Sequence, residues 1–233
     1  MQLGPMDYGL WLVGFLLEAY VVLCSIFRKD FLRYIPLNIY MLAVALVTWG
    51  QFHFIHTYGL NSQNYFYYYY YSDSLLCILM YLVIIHFYQE VFVEMNVSRQ
   101  IRGAAALLLA ATAFFSYIVV RQNKDHMTTR FVVELEQNIN FVVVVLTYLL
   151  WGAILKLRET RTRLIQLVLA LGVAFSATAG SYALRNLFPD SSYLFKWVPP
   201  VMGVWLPLAW AYTLTKVPED ARLATARLVA RAR

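Results

Sequence analysis

Glu18, Asp73 and Glu134 are ionisable residues set inside long apolar runs, and Arg185 stands at the end of another. Charge at membrane depth costs free energy unless it pairs, meets water or binds something, so each is a candidate for ligand contact. His53 lies in another of these runs, and Asn138 follows Glu134 by one helical turn. These six residues form the expected ligand-binding set. Within the Glu134 run, Glu136 and Asn140 repeat the same four-residue spacing, but Glu134 and Glu136 are about 200° apart around a helix axis. One face of that helix is expected to line a cavity. The other meets a neighbouring helix or a second subunit.

His53 and His56, three apart on one face, would make a metal pair if Asp73 supplied a third ligand, and Glu18 or Glu134 would then be the base of a zinc hydrolase. Two histidines at an aromatic membrane interface have a simpler use as hydrogen-bonded structural residues. No metal, cofactor or catalytic residue is therefore expected. Cys24 and Cys77 lie within apolar runs as small fillers and define no disulfide framework.

Positioning these groups requires helices. Of the 233 residues, 61% are hydrophobic and 14% charged. Seven stretches, near residues 8–27, 35–58, 66–93, 103–120, 131–155, 164–184 and 194–215, are each apolar and close to the roughly 20 residues that cross a bilayer. Backbone polar groups must be paired internally in lipid, so these stretches predict an all-α integral membrane protein. The expected architecture is a seven-helix transmembrane domain over residues 1–217, followed by a short basic tail over 218–233. Before the first run, residues 1–7 carry no Lys or Arg, and Glu18 interrupts the run, so a retained span is expected rather than a cleaved leader.

The connections alternate in basic content. One side carries fourteen Lys and Arg, in 28–33, 99–102, 156–163 and 216–233, against five on the other. The positive-inside rule then sets the N-terminus outside and the C-terminus in the cytoplasm. The net charge of +6 is accordingly a topology signal whose partners are the bilayer and its anionic lipids at the cytoplasmic face, with no nucleic acid. In that orientation the polar residues of spans 1, 2, 3, 5 and 6 gather in the outer half. That pattern predicts an outward-facing polar cavity open to a small polar ligand, and Pro199-Pro200 at the start of span 7 is expected to kink the helix and widen its mouth. The run Tyr65-Phe66-Tyr67-Tyr68-Tyr69-Tyr70-Tyr71 reads as an interfacial aromatic belt, with some rings at a ligand entrance.

Rhodopsins and G-protein-coupled receptors share seven spans, but their motifs are missing here. Lys196 and Lys216 flank the last span instead of occupying its middle, span 3 ends Gln89-Glu90-Val91-Phe92, and no histidine follows His126 for a ceramidase-like pair. The passage Tyr65 to Phe92, with Tyr71-Ser72-Asp73-Ser74-Leu75-Leu76 after the aromatic run and Phe87-Tyr88-Gln89-Glu90-Val91-Phe92 at its end, resembles the seven-span input module of some bacterial histidine kinases. The resemblance implies a receptor for signal transduction in a bacterial inner membrane. No kinase follows within this sequence, so the signal is expected to pass to a separate protein partner, or between copies of the chain. The alternatives are a small-solute transporter or channel and a noncatalytic subunit of a larger membrane complex.

Overall fold

The computed structural model describes residues 5–27, 31–59, 62–121, 127–187, 197–219 and 221. Among these are seven α-helices: α1 (Pro5–Phe27), α2 (Ile35–Tyr58), α3 (Gln63–Val91), α4 (Ser98–Arg121), α5 (Met127–Lys156), α6 (Thr162–Leu187) and α7 (Val198–Lys216), with one 3-10 turn at Val93–Met95. Five segments are long and apolar enough to cross a membrane: Ile35–Tyr58, Gln63–Val91, Ser98–Arg121, Arg130–Lys156 and Thr162–Ser181. The apolar part of α1, Trp11–Phe27, is shorter, and α7 has 19 residues with Pro207 inside it. Leu107 (75% exposed) and Phe141 (70%) are among many large apolar side chains left on the surface. A surface of that kind suits hydrocarbon rather than water.

Local chemistry sets the helix ends. Ser62 caps α3, its Oγ accepting from the Tyr65 N–H at 3.1 Å. α2 ends at Gly59, whose φ of 79° is a left-handed conformation that glycine adopts without strain. The end of α5 is closed by two bonds, Glu159 N–H to the Ile154 carbonyl at 3.1 Å and Arg158 N–H to the Leu155 carbonyl at 3.3 Å. This is a Schellman arrangement in which Arg158, at φ 52°, holds the position glycine usually takes. Pro199 and Pro200 fall in the first turn of α7, where a missing N–H costs nothing. The expected kink at that pair is therefore absent, and the prolines start the helix.

The contacts divide the chain into two compact units, Tyr34–Leu146 and Gln2–Arg33 with Thr147–Arg233. In the first unit α3 is the central element, with half of its span buried against 17% for α4. It runs antiparallel to α2, since Tyr68 meets Phe54 and His86 meets Tyr34. α4 is antiparallel to it as well, and the Tyr81 hydroxyl donates to the Ala105 carbonyl at 2.7 Å. With α5 it is parallel: Ser74 donates to the Val132 carbonyl at 3.5 Å and Tyr88 to the Leu146 carbonyl at 2.9 Å.

In the second unit α6 is antiparallel to the last part of α5 and to α7. The Trp151 indole donates to the Val168 carbonyl at 3.1 Å, and that of Trp210 to the Leu167 carbonyl at 3.0 Å. Arg163, only 3% exposed, reaches across to the Leu214 carbonyl at 3.0 Å and lies 3.9 Å from Glu219. Glu219 is also ion-paired with Arg33. A guanidinium on the last carbonyls of a helix opposes the negative end of its dipole, so Arg163 both caps α7 and holds the segment after it. The backbone joins in, with the Thr162 N–H donating to the Ala221 carbonyl at 3.1 Å.

Candidate functional site: the polar seam of α3, α4 and α5

The register of α3 against α5 brings two equally spaced pairs face to face. Asp73 and Cys77, one turn apart on α3, meet Glu136 and Asn140, one turn apart on α5. The Asp73 and Glu136 carboxyl groups are in hydrogen-bonding contact, and the Cys77 thiol lies 3.3 Å from Asn140 Oδ1 as its donor. Because the helices are parallel and both pairs are offset by the same number of residues, one rotation about the axes satisfies both contacts. A hydrogen bond between two carboxyl groups contains a proton, since a carboxylate alone only accepts. The seam can therefore carry one proton between two helices.

Asn138 faces a different neighbour. Its Nδ2 donates to Ser116 Oγ on α4 at 2.9 Å, and Ser116 in turn donates to the Thr112 carbonyl at 2.9 Å. Thr112 is satisfied in the same way by the Leu108 carbonyl at 2.8 Å, so the hydroxyls of α4 are spent on their own helix until Asn138 arrives. α5 is thus tied to α3 by one face and to α4 by the next.

Glu134 lines a cavity of about 380 Å³ at the N-terminal end of α5, together with Phe66 and Tyr70 of α3, Val119 and Val120 of α4, and Arg130 and Val133. The volume is in the range that takes small molecules, about 300–1,000 Å³. Its chemistry is mixed: a carboxylate and a guanidinium one turn apart, two aromatic rings 4.4 Å apart, and an apolar wall of valines. The tyrosine run divides accordingly. Tyr67, Tyr69 and Tyr71 are exposed, Tyr70 joins the cavity, and Tyr68 turns to α2. There its ring stacks on Phe54 at 4.4 Å over Gly50, where a Cβ would occupy the space of the Tyr68 hydroxyl.

The remaining expected residues are His53, Glu18 and Arg185. His53 is exposed on α2, stacked on Trp49 of its own helix, and its carbonyl accepts from Thr57. His56 stacks on Phe52 in the same manner. Among the described residues no three His, Cys, Asp or Glu gather closely enough to hold a metal ion. Glu18 belongs to the second unit and is 6% exposed, with Oε1 3.9 Å from where a Cβ on Gly14 would stand. The Arg185 side chain lies outside the described residues, as does the tail from residue 222.

Two residues were read from the sequence only as loop charges. Arg130 is inside α5 and lines the cavity, a position that its four-residue spacing from Glu134 signals once the helix is known to start before it. Arg163 is inside α6 and buried, and nothing in its local sequence sets it apart from Arg158 or Arg161.

Among the described residues, seven helices, five of them long and apolar enough to cross a bilayer, with polar groups paired between helices and many large apolar side chains exposed, define a multi-pass helical membrane protein. No protein-family model matches the chain, and no curated protein or solved structure matches it.

Proposed function

We propose that this protein is a seven-span membrane sensor or binding protein, N-terminus outside and C-terminus cytoplasmic, that takes a small polar ligand from outside and signals to a separate partner. The observation that carries the reading is the cavity holding Glu134, Arg130, Tyr70 and Phe66. Those groups suit a small zwitterion or an aryl-alkyl amine: Glu134 and the ring faces attract an ammonium, and Arg130 a carboxylate. The fourteen-to-five division of basic residues supports an outer position for this end of α5. The likeness of Tyr65 to Phe92 to kinase input modules is in keeping with α3 bearing both the cavity and the seam.

In mechanism, ligand contact at Glu134 biases the packing of α5 against α3 and α4. The Asp73–Glu136 and Asn138–Ser116 contacts make that packing specific. Only a difference in ligand affinity between two helix arrangements can move such an equilibrium. The test is thermal unfolding of the purified chain against a panel of small zwitterions and aryl-alkyl amines. A bound ligand at about 100 times its Kd adds about 2.7 kcal/mol of stability. At least one compound should raise the Tm of the native chain and of Glu136→Gln, but not of Glu134→Gln. A panel without effect, or a shift that survives Glu134→Gln, would sink the reading.

The carboxyl pair Asp73–Glu136, two acids close enough to share a proton, favours a second reading, a proton-coupled small-solute transporter. Uptake of the same ligand into proteoliposomes driven by a pH gradient distinguishes the two, because a sensor accumulates nothing.

A further inference from the structure

A second cavity of about 420 Å³ lies between α2, α3 and α4 near the connection from α3 to α4. Its floor is one stripe of α3, Leu79, Leu82, His86 and Gln89, apolar at its deep end and polar at its shallow end. That stripe is about 15 Å long at about 1.5 Å per residue, half of a hydrocarbon core of roughly 30 Å. The groove is therefore one leaflet deep. It stays open because α4 presents small residues there, Ala105 and the exposed Ala106.

Arg102 stands at the shallow end, one turn into α4. No Asp or Glu is among the described residues that line the groove. A guanidinium, an imidazole and an amide thus share one mouth without a carboxylate, above a wall that is otherwise apolar. We propose that this groove binds one phospholipid with an anionic headgroup, its phosphate at Arg102 and one acyl chain along Leu82 and Leu79. The occupant follows from charge complementarity combined with depth. An apolar helix from another protein would fill the wall but cover Arg102 without a counter-charge. A phospholipid supplies chain and counter-charge together. The site is separate from the Glu134 cavity, and its occupancy does not depend on what that cavity binds.

The experiment is native mass spectrometry of the full chain in mild detergent, with phosphatidylglycerol, with phosphatidylcholine of the same acyl chains, and with inorganic phosphate. One phosphatidylglycerol per chain should be retained in preference to phosphatidylcholine. Arg102→Gln should reduce that preference by about fivefold and Arg102→Lys should largely keep it. Ala106→Phe, which fills the wall from a lipid-facing position, should lower retention of both lipids. Equal retention of the two lipids overturns the proposal, as does an unchanged preference in Arg102→Gln. Displacement of phosphatidylglycerol by inorganic phosphate also overturns it, since that result describes a free-anion site. Should Ala106→Phe fail to fold, the Arg102 pair of variants decides alone.

Discussion

Gly172→Ala should destabilise the protein while Gly180→Ala, two turns further along α6, should stabilise it. A Cβ on Gly172 would lie 2.8 Å from Cε2 and Cζ2 of Trp151 and 3.0 Å from its Nε1. Ordinary carbon contacts are about 3.5–4.0 Å, so the indole must retreat by roughly 1 Å. The ring is rigid and tethered, with its N–H on the Val168 carbonyl at 3.1 Å, and a displacement of that size takes the bond out of range. Overpacking costs about 1–3 kcal/mol and the lost interhelical hydrogen bond about 0.6. The helical preference for Ala over Gly returns about 1 kcal/mol, which leaves a net loss of about 1–2 kcal/mol. At Gly180 nothing lies within 4 Å, so only the helical gain remains. Thermal unfolding in detergent of wild type, both single variants and the Trp151→Leu/Gly172→Ala double gives the answer. Trp151→Leu removes the obstacle, so the double should be more stable than the sum of the singles. A Gly172→Ala protein as stable as Gly180→Ala would refute the close approach of α6 to α5 at this point.

Arg163→Ala removes a buried guanidinium from the Leu214 carbonyl and from Glu219, and should cost about 2–3 kcal/mol in the same unfolding assay. Lys in its place can reach one partner but not both, so Arg163→Lys should fall between; a wild-type Tm for Arg163→Ala would show that the end of α7 is held by other means. Glu159 is the acid whose titration should be visible outside the helices. Burial raises its pKa, but the Arg161 side chain and the backbone N–H groups of Arg161 and Thr160 outweigh burial and hold it below its usual 4.5. A depressed acid contributes stability that is complete above the unfolded value and is lost as pH falls through the folded one. Glu159→Gln should thus lower the Tm at neutral pH and flatten the acid limb of the Tm–pH curve, whereas an unchanged acid limb would assign that loss to other carboxylates.

The helices were legible because lipid leaves the backbone no alternative: the run read at 35–58 is α2 to the residue, and that at 66–93 differs from α3 by three residues at one end and two at the other. The earlier start of α3 comes from the Ser62 cap, a polar detail that an apolar window does not see. Register was not legible. Periodicity separates the two polar faces of α5, but the axial offset that sets Glu136 against Asp73 and Asn140 against Cys77 belongs to the pair of helices and is written in neither. Cys77 therefore read as a filler, although its thiol meets Asn140. Arg163 illustrates the same gap, because loop basicity reports on topology and says nothing about which arginine turns inward to cap a neighbouring helix.

The seam between α3 and α5 is a rack with two teeth on each helix, Asp73 and Cys77 against Glu136 and Asn140. On α5 the series is two residues long, Glu136 and Asn140 with Val132 and Val144 on either side, so sliding the helices by a single turn, about 5.4 Å, would set Asp73 opposite Asn140 but Cys77 opposite Val144. In the observed register the acid meets an acid, a contact that favours sharing one proton; a slipped register would set it against an amide, which donates to a carboxylate without one. The matched teeth thus fix the register, because a one-turn slip would separate both polar pairs at once and leave Cys77 facing a valine.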